Sequence, residues 1–226
     1  MSLQLFQPLR VGDITLQHRV VMASLTRNRA TNYHVPNNIM VQLYIQRAAA
    51  PGTFIISEGM IIAPAAGGYP NAPGIWNQSQ VEGRGSRSRS ELIYISAALV
   101  AWSGSKPRVD EALPYVSSSS TPLVKRSDAP IELSTSDIQR YVEHFARAAD
   151  IALNKVRFDG AEIHSANGYL LDQFLQYVCN KWTEECGRSV PNRCRIVLEV
   201  VDEAVKVVGP HKAGLRLAPW KTFQGL

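Results

Sequence analysis

The chain has 226 residues, 45% of them hydrophobic, and its 24 Lys and Arg residues exceed its 19 Asp and Glu residues by a formal net charge of +5. This apolar fraction can bury a core, so the composition excludes a disordered chain and favours one globular domain, or at most two small ones. The charge is concentrated, because residues 83–108 hold five basic residues and one acid, a net +4, which leaves +1 for the rest.

The first half of the chain predicts the succession strand, helix, strand. Residues 19–23 form an apolar run typical of a buried strand. Residues 36–50 carry apolar side chains near helical spacing, with Pro at the start and Pro51-Gly52 as a stop. Residues 53–57 form a second apolar strand, which runs into a Gly- and Pro-rich loop over 59–74.

The second half continues the alternation. Ser134 followed by Asp137 resembles a capping box, and the apolar residues of 138–152 lie on one helical face. The remaining predicted elements, in chain order, are a strand at 160–164, a short helix at 170–178, a helix at 197–208 that stops at Gly209-Pro210, and a strand at 213–217.

Continuous apolar strands separated by amphipathic helices predict the α/β class, with a parallel sheet covered by helices. In a β/α barrel and in a doubly wound sheet alike, the chemistry follows the carboxyl ends of the strands. No G-x-G-x-x-G motif follows the first strand, which disfavours a doubly wound, dinucleotide-binding fold. The polar residues that follow strand ends are Thr26, Glu58, His164, Asn167, Tyr169 and Arg216.

We expect a cytoplasmic protein without a metal site. No window approaches 18 consecutive apolar residues, and no secretory signal pattern opens the chain. Cys179, Cys186 and Cys194 match no zinc or redox spacing, so they are interpreted as reduced structural thiols.

The most distinctive block of the sequence is FDGAEIHSANGYLLDQFL at residues 158–175. Eight further blocks follow the same order, at residues 5–12, 18–23, 25–30, 46–48, 52–59, 73–76, 192–195 and 214–219. Together they resemble the N-terminal half of the old yellow enzymes, a NADH:flavin oxidoreductase family. Variants such as His18 before Arg19 are similar to fungal members, including those that act on natural-product intermediates.

The resemblance implies a (β/α)8 barrel of the TIM type that binds FMN. Such an enzyme takes a hydride from NADPH or NADH and passes it to an activated alkene, typically a small α,β-unsaturated carbonyl compound. Hydride addition at the β-carbon pushes charge onto the carbonyl oxygen, which His164 and Asn167 would stabilise as an oxyanion hole does. Tyr169 would give the α-carbon its proton, because a phenol is protonated at neutral pH.

The resemblance also assigns residues to the flavin. Thr26 would hydrogen-bond the ring near C4=O, and Arg216 would lie at the N1 and C2=O edge, where its charge favours the anionic reduced flavin. The backbone around Ser24 and Gly59 would pack close to the ring. Glu58 is interpreted either as structural or as a residue that supports those in contact with the flavin.

Residues 83–112 form a divergent, basic segment. The family has here a helix that begins with Trp, a strand, and a Gln-Leu-Trp motif whose Gln contacts the flavin, whereas this chain has an Arg/Ser repeat and no Gln between Gln80 and Gln139. Two interpretations are open: a reading-frame or splice-junction error, and a genuine surface insertion. Three Arg residues without interleaved aromatic residues are too few for a nucleic-acid site, so we expect no such partner.

The length is also short for the implied barrel, which usually needs about 250 residues. By this count residues 1–226 are a single N-terminal portion of the barrel, about the first five β/α units. We then expect the loops after strands seven and eight, which would hold the FMN phosphate, to be missing.

Three hypotheses follow. The chain is a flavin-dependent ene-reductase, or a truncated, non-catalytic remnant that folds only with a partner or as a homo-oligomer, or a flavin-independent isomerase or cyclase. The last would reuse His164, Asn167 and Tyr169 as acid and base groups.

Overall fold

The computed structural model describes residues 3–83, 94–102, 114–122 and 129–220. Within them the strands are β1 (Leu9–Val11), β2 (Ile14–Leu16), β3 (Val21–Met22), β4 (Phe54–Ile61), β5 (Tyr94–Val100), β6 (Val116–Ser117), β7 (Ile131–Glu132), β8 (Gly160–Ser165) and β9 (Ala213–Leu217). The α-helices are α1 (Asn38–Arg47), α2 (Gln78–Glu82), α3 (Thr135–Asp150), α4 (Leu170–Leu175) and α5 (Val190–Val208). A π-helical turn, Ile151–Lys155, extends α3.

A parallel sheet in the order β3-β4-β5-β8-β9 lies at the centre of the described chain. β5 pairs with β4 on one side and with β8 on the other. The strand order follows the chain without reversal, as it does around a β/α barrel, whereas a doubly wound sheet reverses its order at a switch point. The carboxyl ends of all five strands therefore lie at one edge.

Local sequence sets the ends of the main helices. Asn37 caps α1, its side chain accepting hydrogen bonds from two backbone amides of the first turn. Ser134 and Asp137 form the predicted capping box of α3. Ser189 caps α5, which ends at Gly209 with φ of +83°, a left-handed value that glycine adopts without steric cost.

The core forms where helices cover the sheet. α3 packs on α5 and on β5, and α5 also contacts β8 and β9. The buried side chains of α3 are those of the predicted helical face: Ile138, Tyr141, Val142, Phe145, Ala148 and Ala149. The helix predicted over 170–178 is shorter than expected and ends at Leu175.

The divergent segment supplies the middle strand of the sheet. Ala97 to Trp102 are each at most 5% exposed, and β5 completes the hydrogen bonding of both neighbours. Residues 96–102 are therefore buried in the core and do not form a surface insertion. The Arg/Ser repeat lies outside the described residues, so its two interpretations stay open.

Three further features bear on the sequence expectations. The cysteines Cys179, Cys186 and Cys194 are all free thiols. Among the described residues, no helix combines the length and apolarity needed to cross a membrane. In the same parts of the chain, no group of three or more His, Cys, Asp and Glu side chains is placed to hold a metal ion.

Candidate active site

Residues from five strand ends meet around one cavity of about 120 Å³. The segment after β3, the carboxyl half of β4, the residues after β5, the end of β8 with the turn that follows it, and β9 all contribute. The lining residues are Ser24, Thr26, Gly59, Trp102, His164, Asn167, Tyr169 and Arg216. The structure thus brings together all seven residues that the sequence singled out for catalysis and cofactor binding.

A left-handed turn after β8 carries two of the three catalytic candidates, Asn167 and Tyr169. Asn167 has φ of +58° and Gly168 has φ of +73°, so two successive residues adopt a backbone conformation that side chains disfavour. Asp172 accepts a hydrogen bond of 2.8 Å from the Gly168 amide. The Gln173 side chain donates one of 2.7 Å to the Gly168 carbonyl. These two buried side chains of α4 fix the turn that displays Asn167 and Tyr169.

His164 is held neutral beside the cavity. Its side chain is 7% exposed, and burial, followed by the nearby charge of Arg216, lowers its pKa from 6.5 to about 4. Its Nε2 atom lies 3.3 Å from the amide nitrogen of Asn167. Within the described chain its Nδ1 atom is buried without a hydrogen-bond partner. At neutral pH the imidazole and the amide therefore form a pair of uncharged hydrogen-bonding groups.

Tyr169 is held in its protonated form. Burial raises its pKa well above the usual value of a phenol, and the hydrogen bond with Tyr69 raises it further. The Tyr169 hydroxyl donates this hydrogen bond over 3.4 Å. The ring lies 5.5 Å from the imidazole of His164, measured between centroids. A protonated phenol thus stands next to the imidazole and amide pair, which is the arrangement a proton donor needs.

Thr26 and Gly59 also line the cavity. The Gly59 amide donates a hydrogen bond of 3.3 Å to the Thr26 hydroxyl, which ties the segment after β3 to β4. A Cβ atom added to Gly59 would lie 2.8 Å from the indole of Trp102. Only glycine therefore fits between the backbone and this ring, and the backbone reaches the cavity without a side chain in the way.

Arg216 brings a positive charge to the cavity, and Glu162 orients it. The Arg216 Nε atom donates to the Glu162 carboxylate over 2.7 Å, and both side chains are partly buried. Arg216 pairs in register with His164 across β8 and β9, while Glu162 lies two residues before His164 on β8. The ion pair uses one of the five donors of the guanidinium.

Two aromatic residues of the site were missed by sequence reasoning. Trp102 lines the cavity directly, and Tyr69 contacts both Trp102 and Tyr169. The position of Trp102 just after an apolar run was the available signal for it, whereas Tyr69 lies in a loop without periodicity. Val100, two residues before Trp102, is a buried apolar residue.

Glu58 lies outside this cavity. It is 2% exposed, and its carboxylate accepts hydrogen bonds from the Arg27 amide and the Tyr44 hydroxyl. The Glu58 amide in turn donates to the Tyr44 hydroxyl over 2.8 Å. These bonds tie α1 and the segment after β3 to the middle of β4, which is a structural role.

Comparison with known proteins gives a consistent result over nearly the whole chain. Residues 4–225 match the model of the NADH:flavin oxidoreductase / NADH oxidase family. The chain is 41% identical to chanoclavine-I aldehyde reductase fgaOx3 of Penicillium roqueforti, over 99% of this chain and 62% of that protein. It is 37% identical to easA of Epichloe festucae var. lolii, described as a probable inactive reductase, over 98% of this chain and 60% of that protein.

Solved structures agree with the sequence comparison. The old yellow enzyme from Pichia sp. AKU4542 superimposes with a TM-score of 0.91 at 33% identity, covering 98% of this chain and 61% of that enzyme. This similarity confirms the predicted barrel type, of which the described residues hold five parallel strands. The chain spans about three fifths of the length of the relatives it matches.

Proposed function

Because the chain belongs to the NADH:flavin oxidoreductase / NADH oxidase family, we propose that it is an FMN-dependent reductase of conjugated alkenes. It takes a hydride from NADPH or NADH and delivers it to the β-carbon of an α,β-unsaturated carbonyl compound. The observation that carries this proposal is that one cavity is lined by a neutral imidazole, an amide, a protonated phenol and a guanidinium.

The residues present fit a flavin. Gly59 lines the cavity without a side chain, so it presents bare backbone there, as a flat ring requires. Arg216 offers a permanent positive charge, and the buried Nδ1 atom of His164 lacks a partner within the described residues. Thr26, Arg216 and the backbone around Ser24 and Gly59 would hold FMN, which when bound supplies the hydride.

His164 and Asn167 bind the carbonyl oxygen of the substrate. Negative charge develops on this oxygen as hydride reaches the β-carbon, and two fixed donors stabilise that charge more than they stabilise the neutral carbonyl. Because the imidazole is neutral at pH 7, it donates a hydrogen bond without transferring its proton. The turn fixed by Asp172 and Gln173 keeps the Asn167 donor in place before the substrate arrives.

Tyr169 completes the reaction. Its hydroxyl proton passes to the α-carbon as that carbon's new C–H bond forms, and solvent restores the proton to the phenol. The elevated pKa ensures that the group is protonated throughout the physiological pH range.

The substrate is a small conjugated aldehyde or ketone. One relative of this chain is a chanoclavine-I aldehyde reductase, so an aldehyde is the first compound class to test. The aromatic rings of Trp102 and Tyr169 beside the cavity suit a flat, conjugated molecule.

An anaerobic titration tests this function. The purified chain should carry the visible absorbance of bound flavin, lose it on addition of NADPH, and recover it on addition of an α,β-unsaturated aldehyde. A saturated aldehyde of the same length is the matched control and should not restore the colour. A colourless protein that nevertheless converts a substrate would overturn the proposal in favour of a flavin-independent isomerase or cyclase.

A non-catalytic protein is the second candidate. Two observations favour it: one relative is described as a probable inactive reductase, and no Gln lies between Gln80 and Gln139 to serve as the flavin-contacting Gln of the family motif. Such a protein would stay colourless in the same titration, or would bind flavin that NADPH does not bleach.

A further inference from the structure

Tyr69 belongs to a loop that is firmly attached to the site. The loop leaves the end of β4 and returns to it, since Ile61 donates its amide hydrogen to Pro73 and accepts one from Ile75, at 2.9 and 3.0 Å. The Trp102 amide donates to the Ala66 carbonyl over 2.8 Å, which binds the loop to the end of β5. Tyr69 is therefore carried by a fixed backbone.

The Tyr69 ring completes an aromatic cluster with Trp102 and Tyr169. Its centroid lies 5.0 Å from that of Trp102 and 6.3 Å from that of Tyr169, and both contacts are edge-to-face. Trp102 and Tyr169 lie 5.9 Å apart, so each of the three rings contacts the other two. Edge-to-face pairs at these distances are favourable and fix the orientation of the rings.

The two tyrosines also meet through their hydroxyl groups. Tyr169 donates a hydrogen bond to the Tyr69 oxygen over 3.4 Å. This bond is long, as hydrogen bonds of catalytic groups commonly are before a ligand binds. Both rings are partly buried. Tyr69 lies in the loop after β4, whereas Tyr169 directly precedes α4.

We propose that Tyr69 is a positioning residue for Tyr169: its phenol oxygen holds the Tyr169 hydroxyl, and its ring, braced by Trp102, fixes the Tyr169 ring at the cavity. This inference rests on the proposed function, in which Tyr169 gives its proton to the substrate. Tyr69 does not line the cavity in the described structure, so it acts through Tyr169 and not on the substrate.

The hydroxyl contact can be tested without flavin or turnover. With tyrosine labelled with ¹³C at Cζ, the Tyr169 resonance is the one that disappears in Tyr169→Phe. We expect Tyr69→Phe, which keeps the ring and removes only the hydroxyl, to shift this resonance. The control is Tyr33→Phe, which removes the hydroxyl of a side chain that is 81% exposed. This variant should leave the Tyr169 resonance unshifted. An unshifted Tyr169 resonance in Tyr69→Phe would overturn the inference.

A double-mutant cycle on the flavin-loaded enzyme tests the catalytic consequence. Tyr69→Phe should slow alkene reduction by about five- to tenfold, as loss of one hydrogen bond does, and should leave flavin reduction by NADPH unchanged. In the Tyr169→Phe background, Tyr69→Phe should change the rate of alkene reduction by less than about twofold, because the hydroxyl that Tyr69 positions is absent. Independent, multiplying effects would contradict a role through Tyr169.

The two tests separate this inference from the function on which it rests. A Tyr169 resonance that shifts in Tyr69→Phe, in a protein that binds no flavin, would support the contact between the two tyrosines and refute the reductase function. A Tyr169 resonance that does not shift in Tyr69→Phe, in an active, flavin-loaded enzyme, would refute the role of Tyr69 and leave the reductase function standing.

Discussion

His164 shows how burial sets the charge of a single residue. Its pKa is about 4 in the folded protein, first because of burial and then because of the charge of Arg216, whereas 6.5 is the ordinary value. Between these values the unfolded chain binds a proton that the folded protein excludes. The free energy of unfolding therefore rises with pH across this window, and stability is lost as the pH falls from about 6.5 towards 4.

This linkage gives a prediction for stability. Between pH 7 and pH 5, His164 alone should cost the protein about 2 kcal/mol of unfolding free energy. Urea unfolding at the two pH values measures the loss, and His164→Gln should lose less because its amide does not titrate. His144 also has a lowered pKa, but it is present in both proteins and cancels in the comparison. An equal loss in the variant would show that His164 is not the group responsible.

Single residues also show how far the sequence could predict the site. That His164, Asn167 and Tyr169 lie together was predictable, because they fall in one uninterrupted block at the end of a strand. Tyr69 was not, because its ring reaches Tyr169 from a loop whose path is set by hydrogen bonds to β4 and β5. The pKa values were equally beyond the sequence, since they depend on burial by side chains distant along the chain.

At the scale of secondary structure, α3 is one of the helices that cover the sheet, and it packs against β5 and α5. Its hydrophobic face could be read from the sequence, since the spacing of its apolar residues and its capping box agree with the observed helix. β5 could be placed only by the structure, because the segment around it departs from the family pattern while its pairing with β4 and β8 is nonlocal.

Phe145 tests the contribution of α3. The side chain is fully buried, at 0% exposure, where the helix meets the core. Phe145→Ala should lower the free energy of unfolding by about 3 to 5 kcal/mol, through lost burial and a remaining cavity. Gln139→Ala on the exposed face of the same helix is the matched control and should change it by less than about 0.5 kcal/mol. A loss below about 1 kcal/mol for Phe145→Ala, measured by urea unfolding, would contradict this packing.

At the scale of the whole molecule, the sheet of the described residues has two edges, β3 and β9. Apolar side chains are exposed along them: Val21 is 43%, Leu215 is 41% and Leu217 is 55% exposed. Unpaired strand edges with apolar side chains favour pairing between chains. The expected homo-oligomer remains a prediction that these edges support.

Sedimentation velocity over a range of protein concentrations measures this association. We expect the sedimentation coefficient to rise with concentration, and Leu217→Lys on β9 to reduce the rise, because a charge at an edge opposes pairing. Leu198→Lys changes an exposed residue of α5, at 56% exposure, and should have no effect. A single monomeric species at every concentration would refute the prediction.

The proposed function requires that FMN held in this cavity would supply a hydride to a conjugated alkene while Tyr169 supplies the proton. Stopped-flow measurement of the two half-reactions in Tyr169→Phe tests it most directly. We predict that flavin reduction by NADPH keeps its rate, while reoxidation by an α,β-unsaturated aldehyde slows by about 100-fold or more. An equal loss in both half-reactions, or no loss in the second, would contradict the account.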